Sequence, residues 1–172
     1  MLNKSFLIDS NVFINSKNFY YHFDYCKMFW DFLLNLHKKE IIYSLESVKK
    51  ELLKGNDLIV DWIKNEVPNT FFLPEFSSQA WSQNYSALMK WSQSNGFAQK
   101  ARDDFANQSK ADAFLIADAM TTGRSIITFE IFDSNNPKRR ILIPNATKAH
   151  NVSTMTLFEF LPSYACDNFS CK

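Results

Sequence analysis

The chain has 172 residues, a formal net charge of +1 at pH 7, 46% hydrophobic residues and 16% aromatic residues. This composition excludes a disordered chain and fits one domain with a sizeable core. The near-neutral charge excludes a uniformly basic nucleic-acid binder, so any nucleic-acid surface must be a local patch.

Strand and helix patterns alternate along the first half of the chain. Short apolar runs predict strands, and apolar residues at three- to four-residue spacing predict helices. Ser44 is a suitable N-cap for a helix that runs to about Lys54 and ends at Gly55. The other predicted strands of this half are 5–8, 41–43 and 71–73, and the other predicted helices are 24–39 and 57–65.

The second half begins with a helical, aromatic-rich segment at about 77–107, which Gly96 interrupts. A stripe of large side chains in this segment is expected to be core or an interface, and it consists of Trp81, Tyr85, Leu88 and Trp91. Further helices are predicted over 110–122, 145–150 and 156–161, and further strands over 125–128, 141–143 and 152–155.

This alternation predicts an α/β fold, a three-layer α/β/α sandwich with a central, mostly parallel sheet. We expect a single domain over residues 1–162 and a flexible C-terminal tail over 163–172. In such sheets the functional crevice lies beyond the carboxyl ends of the strands.

The three cysteines, Cys26, Cys166 and Cys171, form no CxxC pair. Their number and spacing argue against a disulfide framework and a zinc ribbon. The N-terminal apolar run is too short for a signal peptide, and no stretch approaches membrane-spanning length. We therefore expect a cytoplasmic protein that does not contact a membrane.

Acidic side chains follow or precede the predicted strands at positions that favour one shared site. Asp9 ends the first strand, and Glu130 follows strand 125–128. Asp112 lies in the first turn of the helix 110–122 before that strand, and Glu51 lies on the helix after the second strand. Carboxylates that converge repel one another unless a cation lies among them. Oxygen ligands without cysteine or histidine favour Mg²⁺ or Mn²⁺ over zinc, and such a site suits phosphodiester hydrolysis.

Each acid also has a simpler interpretation. Asp9 could belong to a strand-ending turn, and Asp112 could cap its helix through the Ser109-x-x-Asp112 pattern. Glu51 could pair with a neighbouring lysine, and Glu130 could be a solvated loop acid. The coincidence of all four at strand ends favours the shared site.

Several other chemistries lack their motifs. The only glycines are Gly55, Gly96 and Gly123, so the chain has no glycine-rich phosphate loop. It also lacks the G-x-S-x-G elbow of serine hydrolases. A phosphatase with a nucleophilic aspartate at the first strand would need a second aspartate at position 11, which is Asn11.

The chain resembles PIN-domain nucleases in an ordered set of motifs. An apolar run followed by Asp-Ser-Asn occupies residues 6–14, and an acid directly before Leu with a Gly four residues later occupies 48–55. Asp112 is followed by Ile-Ala-Asp-Ala within 111–119, and 125–130 reads Ser-Ile-Ile-Thr-Phe-Glu where the family usually has Val-Thr-x-Asp. Within this class, the chain most resembles VapC-type toxins of toxin–antitoxin systems. The segments that carry this closer resemblance are 11–21, 71–74, 141–144 and 148–149.

This resemblance implies a Mg²⁺- or Mn²⁺-dependent endoribonuclease whose metal ligands are Asp9, Glu51, Asp112 and Glu130. It implies supporting roles for Ser10, Asn11 and Thr128, and RNA as the substrate. It also implies a cognate antitoxin protein that inserts into the active-site groove. The fourth acid is a glutamate rather than the usual aspartate, so Asp118 or Asp133 could replace it.

Basic and aromatic residues supply candidate RNA contacts. The densest basic run is Lys138, Arg139 and Arg140, and Lys17 and Lys110 lie beside the proposed acids. Unpaired bases could stack on aromatic residues, and the candidates are Tyr20, Tyr21 and Phe23. The alternative function is a catalytically silent PIN-like domain that binds RNA or protein, and the segment 77–107 could instead form an oligomer or antitoxin interface. A homodimer is a further expectation.

Overall fold

A computed structural model of the protein describes residues 5–75, 78–136 and 138–165. The predicted tail lies outside these residues from position 166 onward, as do Cys166 and Cys171. Within them, the last helix runs to Tyr164, two residues beyond the predicted end of the domain.

The described part contains a sheet of five parallel strands in the order β3-β2-β1-β4-β5. Helices cover this sheet in an α/β/α sandwich, so the predicted fold class is confirmed. The strands are β1 (Phe6–Ile8), β2 (Ile42–Leu45), β3 (Phe72–Leu73), β4 (Ser125–Ile127) and β5 (Thr154–Met155).

The central strand β1 is apolar at every position because neighbours cover both of its edges and both of its faces. It pairs with β2 on one side and with β4 on the other, and Ile8 lies opposite Ile127. Since parallel strands end at the same edge of a sheet, the residues that follow β1 and β4 are adjacent.

Helical segments connect these parallel strands along the chain. A π-helical turn over Ser16–Tyr20 continues the first helix, and a 3₁₀ turn over Asn69–Phe71 precedes β3. The helices are α1 (Ser10–Asn15), α2 (Lys27–Lys38), α3 (Glu46–Leu52), α4 (Leu58–Asn65), α5 (Gln79–Ser94), α6 (Gln99–Ala106), α7 (Asp112–Thr122), α8 (Ile143–Ala149) and α9 (Leu157–Tyr164). Among the described residues, every helix is too short or too polar to span a bilayer.

The predicted N-cap at Ser44 is wrong. Ser44 belongs to β2, and its hydroxyl donates to the Ile8 carbonyl at 2.7 Å, which binds β2 to β1. Helix α3 starts after Leu45 instead, and its Ser47 amide donates to the Glu75 carboxylate at 2.6 Å. An acid that follows β3 therefore satisfies the first turn of α3.

The predicted strand over 141–143 is also wrong, because Ile143 is the first residue of α8. Leu142 is extended and Pro144 lies in the first turn, where its fixed φ suits a helix and its missing N–H costs nothing. The short apolar run therefore ends a loop and begins a helix.

The aromatic-rich segment contributes to the core. Trp81 and Leu88 of α5 are buried, and the rings of Trp81 and Tyr85 lie 6.0 and 5.6 Å from that of Phe114 on α7. Gly96 has a positive φ of 71° and separates α5 from α6, as predicted.

Candidate functional site

Asp9 lies at the carboxyl end of β1 and is 2% exposed. Its amide donates to the Ile127 carbonyl at 3.0 Å, which continues the pairing of β1 with β4 beyond the last strand residue. Its carboxylate accepts from the Thr128 hydroxyl at 2.9 Å and from the Ser10 hydroxyl at 3.3 Å. The strand pairing thus fixes the position of this buried acid.

Asn11 and Thr128 form a clamp beside Asp9. The Asn11 side-chain amide donates to the Thr128 hydroxyl at 3.0 Å, and its oxygen accepts from the Phe129 amide at 3.0 Å. The Thr128 hydroxyl oxygen accepts the hydrogen bond from Asn11, and its own O–H group donates to the Asp9 carboxylate. Ser10, Asn11 and Thr128 therefore all touch or support Asp9, at the positions that the sequence predicts for supporting residues.

Asp112 is the first residue of α7, and the helix has no side-chain cap. The Ser109-x-x-Asp112 pattern does not form a capping box, because the Ser109 amide donates to Asn107 and the residue before the helix is Ala111. Within the described part of the chain, no donor contacts the Asp112 carboxylate by a hydrogen bond.

Glu51 brings α3 to the start of α7. One of its carboxylate oxygens accepts from the Ala111 amide at 2.9 Å, so the side chain holds the residue directly before α7. Its second oxygen has no hydrogen-bond donor among the described residues. Glu51 is therefore bound to the backbone and still has an oxygen to offer.

Glu130 is held on both oxygens. One accepts from the Arg140 guanidinium and the other from the Ile143 amide at 2.7 Å. The carboxyl side chain is 9% exposed whereas that of Arg140 is 69% exposed. Glu130 therefore ties the loop 131–142 to the start of α8 and fixes Arg140 at the surface.

The electrostatics of these acids reveal mutual repulsion. Burial raises the pKa of Asp9 well above its usual range, and the charges of Asp112, Glu130 and Glu51 raise it further. Burial, Glu130 and Glu51 also raise the pKa of Asp112 to about 6, although Arg140 and Lys110 oppose this shift. The carboxylates are thus close enough to destabilise one another's charge.

A hard divalent cation fits this donor set. Mg²⁺ and Mn²⁺ prefer carboxylate oxygens as ligands, and three acids supply them here: the buried Asp9, and Asp112 and Glu51 with oxygens that accept no hydrogen bond from the described residues. A bound cation would relieve the repulsion between these carboxylates. Across residues 5–75, 78–136 and 138–165, no three acidic, histidine or cysteine side chains already enclose such an ion. Coordination would therefore require the acids to turn toward a common point.

A cleft of about 660 Å³ opens beside Asp112. Its lining combines Ser10, Glu51 and Asp112 with basic side chains of α6, of the segment before α7 and of the loop before α8. The acid Asp104 of α6 also lines the cleft, and Phe105 and Ile141 supply apolar surface. A cleft lined by both carboxylates and cationic side chains can hold a phosphate together with a cation. The basic residues are Lys100, Lys110, Arg139 and Arg140.

The other predicted RNA contacts have different surroundings. Lys17 forms an ion pair with Asp57, and the Lys138 ammonium lies 4.5 Å from the Phe97 ring centroid. Lys110 lines the cleft but pairs with Asp104 at 3.5 Å. Arg139 lines the cleft and is exposed, so it is the member of the basic run that is best placed for a ligand.

The structure does not bring the two substitute acids to the site. Asp118 is buried and pairs with Arg124 at 3.3 Å, and burial raises its pKa although Arg124 opposes the shift. Asp133 accepts from the Asn135 amide at 2.8 Å in the loop after β4. Both carboxylates are engaged away from Asp9.

Sequence reasoning missed Lys100. It lies on α6, and one turn later Asp104 also lines the cleft. The only signal was the i, i+4 spacing of two polar side chains on an amphipathic helix, which is equally typical of a solvated face.

Residues 6–167 match the model of a family described as Domain of unknown function (DUF4411). The chain belongs to this family. The matched region contains the whole sheet and the acids Asp9, Glu51, Asp112 and Glu130, so the candidate site lies within the DUF4411 domain. No curated protein matches the sequence.

Proposed function

We propose that the protein is a Mg²⁺- or Mn²⁺-dependent endoribonuclease of the PIN-like type. The observation that supports this most is that Glu51 and Asp112 line a cleft together with basic residues, and that both acids lie close enough to the buried Asp9 to raise its pKa. Hydrolysis of a phosphodiester with a divalent cation requires acids that bind the cation and cationic side chains that bind the phosphate.

In this proposal Asp9, Glu51 and Asp112 hold the cation. The cation would supply Lewis-acid chemistry and charge neutralisation at the phosphate. Asn11 and Thr128 keep the Asp9 carboxylate in one orientation, because each donor in the clamp has a fixed acceptor. Ser10 lines the cleft together with Glu51 and Asp112.

The basic residues would hold the RNA backbone. Arg139 and Lys100 are exposed at the cleft, and neither forms an ion pair with a described carboxylate. Phosphate contacts of this kind position a nucleic acid without reading its sequence. Glu130 would act mainly by fixing Arg140 beside the cleft, and its own coordination of the cation would require release from Arg140 and Ile143.

We also propose the toxin of a type II toxin–antitoxin pair as the biological setting, with a cytoplasmic location. The support is the resemblance of the ordered motifs to VapC-type toxins. A cognate antitoxin that enters the cleft and a homodimer are the partners that this setting predicts. Toxicity on expression that Asp9→Asn relieves would support the setting, and harmless expression of an active nuclease would contradict it.

The test of the enzymatic proposal is metal-dependent cleavage of RNA by the purified protein. We expect Asp9→Asn and Asp112→Asn to lower the rate about 100-fold or more, because each removes charge at the reacting centre. Asp61→Asn is the matched control, since Asp61 is an exposed acid on α4. Cleavage that persists in both site variants, or that survives EDTA, would contradict the proposal.

A second candidate is a catalytically silent PIN-like domain that binds RNA or protein. It is favoured by the engagement of both Glu130 oxygens and by the lack of an already enclosed ligand set among the described residues. RNA binding without cleavage, together with no stabilisation by Mn²⁺, would favour this candidate over the nuclease.

A further inference from the structure

An exposed group of aromatic rings lies beside the candidate site. It consists of Tyr20, Phe129 and Phe158, and we call it the aromatic platform. Tyr20 is 45% exposed and Phe158 is 47% exposed, while Phe129 is half-buried between them. The platform combines the π-helical turn, the segment after β4 and the helix α9, which are distant in sequence.

The rings of the platform support one another. The Tyr20 and Phe129 centroids lie 5.5 Å apart with planes inclined by 26°, and Phe158 contacts them edge-on at 5.0 and 5.4 Å. Phe19 extends the surface at 6.4 Å from Tyr20 and is 70% exposed. Rings held by such contacts lose little conformational freedom when a ligand stacks on them.

The platform is fixed to the proposed metal site through the backbone. Phe129 directly follows Thr128, whose hydroxyl donates to Asp9, and the Phe129 amide donates to Asn11. The segment that carries the Phe129 ring therefore also carries the hydroxyl that supports Asp9.

The neighbouring aromatic residues do not share this exposure. Tyr21 stacks on Phe29 at 4.2 Å, and Phe23 stacks on Trp30 at 4.0 Å. These rings belong to the packing around α2. Among the three aromatic residues that the sequence suggests for base stacking, Tyr20 alone is exposed.

Two cationic side chains bind residues that follow Phe129 in sequence. The exposed Arg140 pairs with Glu130, directly after Phe129, and the Lys148 ammonium lies 4.0 Å from the ring centroid of Phe132. Glu159, the acid beside Phe158, is turned back onto the Thr156 amide and hydroxyl. Exposed aromatic rings flanked by cations are typical of surfaces that stack nucleobases.

We propose that the aromatic platform stacks a nucleobase of the RNA that flanks the reacting phosphodiester, with Tyr20 and Phe158 as positioning residues. This inference rests on the proposed function for its substrate. To the proposed function it adds the identity of the residues that would bind the base and the position of that base relative to the site.

The test measures RNA binding in EDTA, where no cleavage is expected. The probe is a short single-stranded RNA with one 2-aminopurine, whose fluorescence falls when it stacks. We expect Tyr20→Leu and Phe158→Leu to weaken binding about tenfold and to reduce the quenching, whereas Tyr20→Phe retains both. Tyr25→Leu is the matched control, because Tyr25 is 74% exposed and stacks on His22 outside the platform.

Equal affinity and equal quenching in Tyr20→Leu and Tyr25→Leu would overturn the proposal, provided that both variants retain the wild-type melting temperature. Platform variants that change self-association in sedimentation but leave RNA affinity intact would overturn it in favour of a protein interface. The readout needs no metal and no turnover. Stacking without Mn²⁺-dependent cleavage would therefore support the platform while the nuclease proposal fails.

Discussion

The position of Asp112 lowers the stability of the metal-free protein. It begins α7 without a side-chain cap, lies near Glu51 and Glu130, and receives no hydrogen bond from the described residues. An acid at a helix N-terminus is usually stabilising, yet burial and two neighbouring acids outweigh that benefit here. Residues that lower stability in this way are typical of functional sites.

The raised pKa of Asp112 has a testable consequence for stability. Its usual pKa is 3.8 and its pKa in the folded protein is about 6. Between these values the folded state binds more protons than the unfolded state, so the metal-free protein loses stability as pH rises through this window. We expect Asp112→Asn to stabilise the metal-free protein at pH 7 by about 1–2 kcal/mol.

Chemical denaturation at pH 4 and pH 7 in EDTA measures this effect. The gain from Asp112→Asn should be small at pH 4, which lies close to the usual pKa of 3.8, so that little of the penalty for ionising the buried carboxyl has accumulated. Asp61→Asn should give no gain. A variant that is destabilised at pH 7 would contradict the proposed repulsion.

Glu130 offers a second residue-level prediction. Because both of its oxygens already have donors, we expect Glu130→Gln to leave Mn²⁺ affinity within about threefold of wild type, whereas Asp112→Asn abolishes it. The same variant should lower stability by about 1 kcal/mol, because a charged hydrogen bond becomes a neutral one. Titration calorimetry with Mn²⁺ separates these outcomes, and loss of Mn²⁺ binding in Glu130→Gln would identify Glu130 as a ligand.

The acids themselves were predictable from the sequence, but their partners were not. Asp9 and Glu130 follow apolar runs, and the geometry of parallel sheets makes such residues meet. Whether Glu130 faces the crevice or binds Arg140 depends on how the loop 131–142 folds back, which no local pattern encodes. The Asn11–Thr128 clamp likewise depends on the register of β1 against β4.

At the scale of elements, the sequence predicts the long periodic helices and the buried strands well. Gly123 follows α7, at the predicted end of the helix 110–122, and Asp57, the first residue of the predicted helix 57–65, is the N-cap of α4. The errors fall where short apolar runs are ambiguous. The run at 141–143 contains β-branched residues that suit a strand, but Pro144 and the tether to Glu130 favour the start of a helix.

Gly123 provides the prediction at this scale. It ends α7 with a positive φ of 74°, and a Cβ added there would meet no heavy atom within 4 Å. A change in stability on substitution of Gly123 therefore measures the cost of the positive φ and not a steric clash. We expect Gly123→Ala to lower the free energy of unfolding by about 1 kcal/mol and Gly123→Asn by less, since asparagine tolerates this conformation.

Urea denaturation of the two variants measures this difference. Gly55→Ala is the control, because Gly55 has no positive φ. Equal losses for alanine and asparagine at position 123 would contradict the conformational explanation.

At the scale of the whole molecule, a net charge of +1 conceals a local concentration of charge. Acids from α3 and α7 line one cleft together with basic residues from α6 and the loop before α8, and these acids raise the pKa of the buried Asp9 after β1. The fold produces this arrangement because the parallel sheet collects strand ends at one edge, and the helices and loops around that edge supply the other charged side chains. Composition alone could not predict it.

The most direct test of the proposed metal site is a crystal of the protein soaked in Mn²⁺ and measured at a wavelength where manganese scatters anomalously. We predict one strong anomalous peak within coordination distance, about 2.0–2.3 Å, of carboxylate oxygens from Asp9 and Asp112, with Glu51 turned toward it. The absence of a peak between these residues in a saturated crystal, or a peak bound only by surface acids, would contradict the proposed metal site.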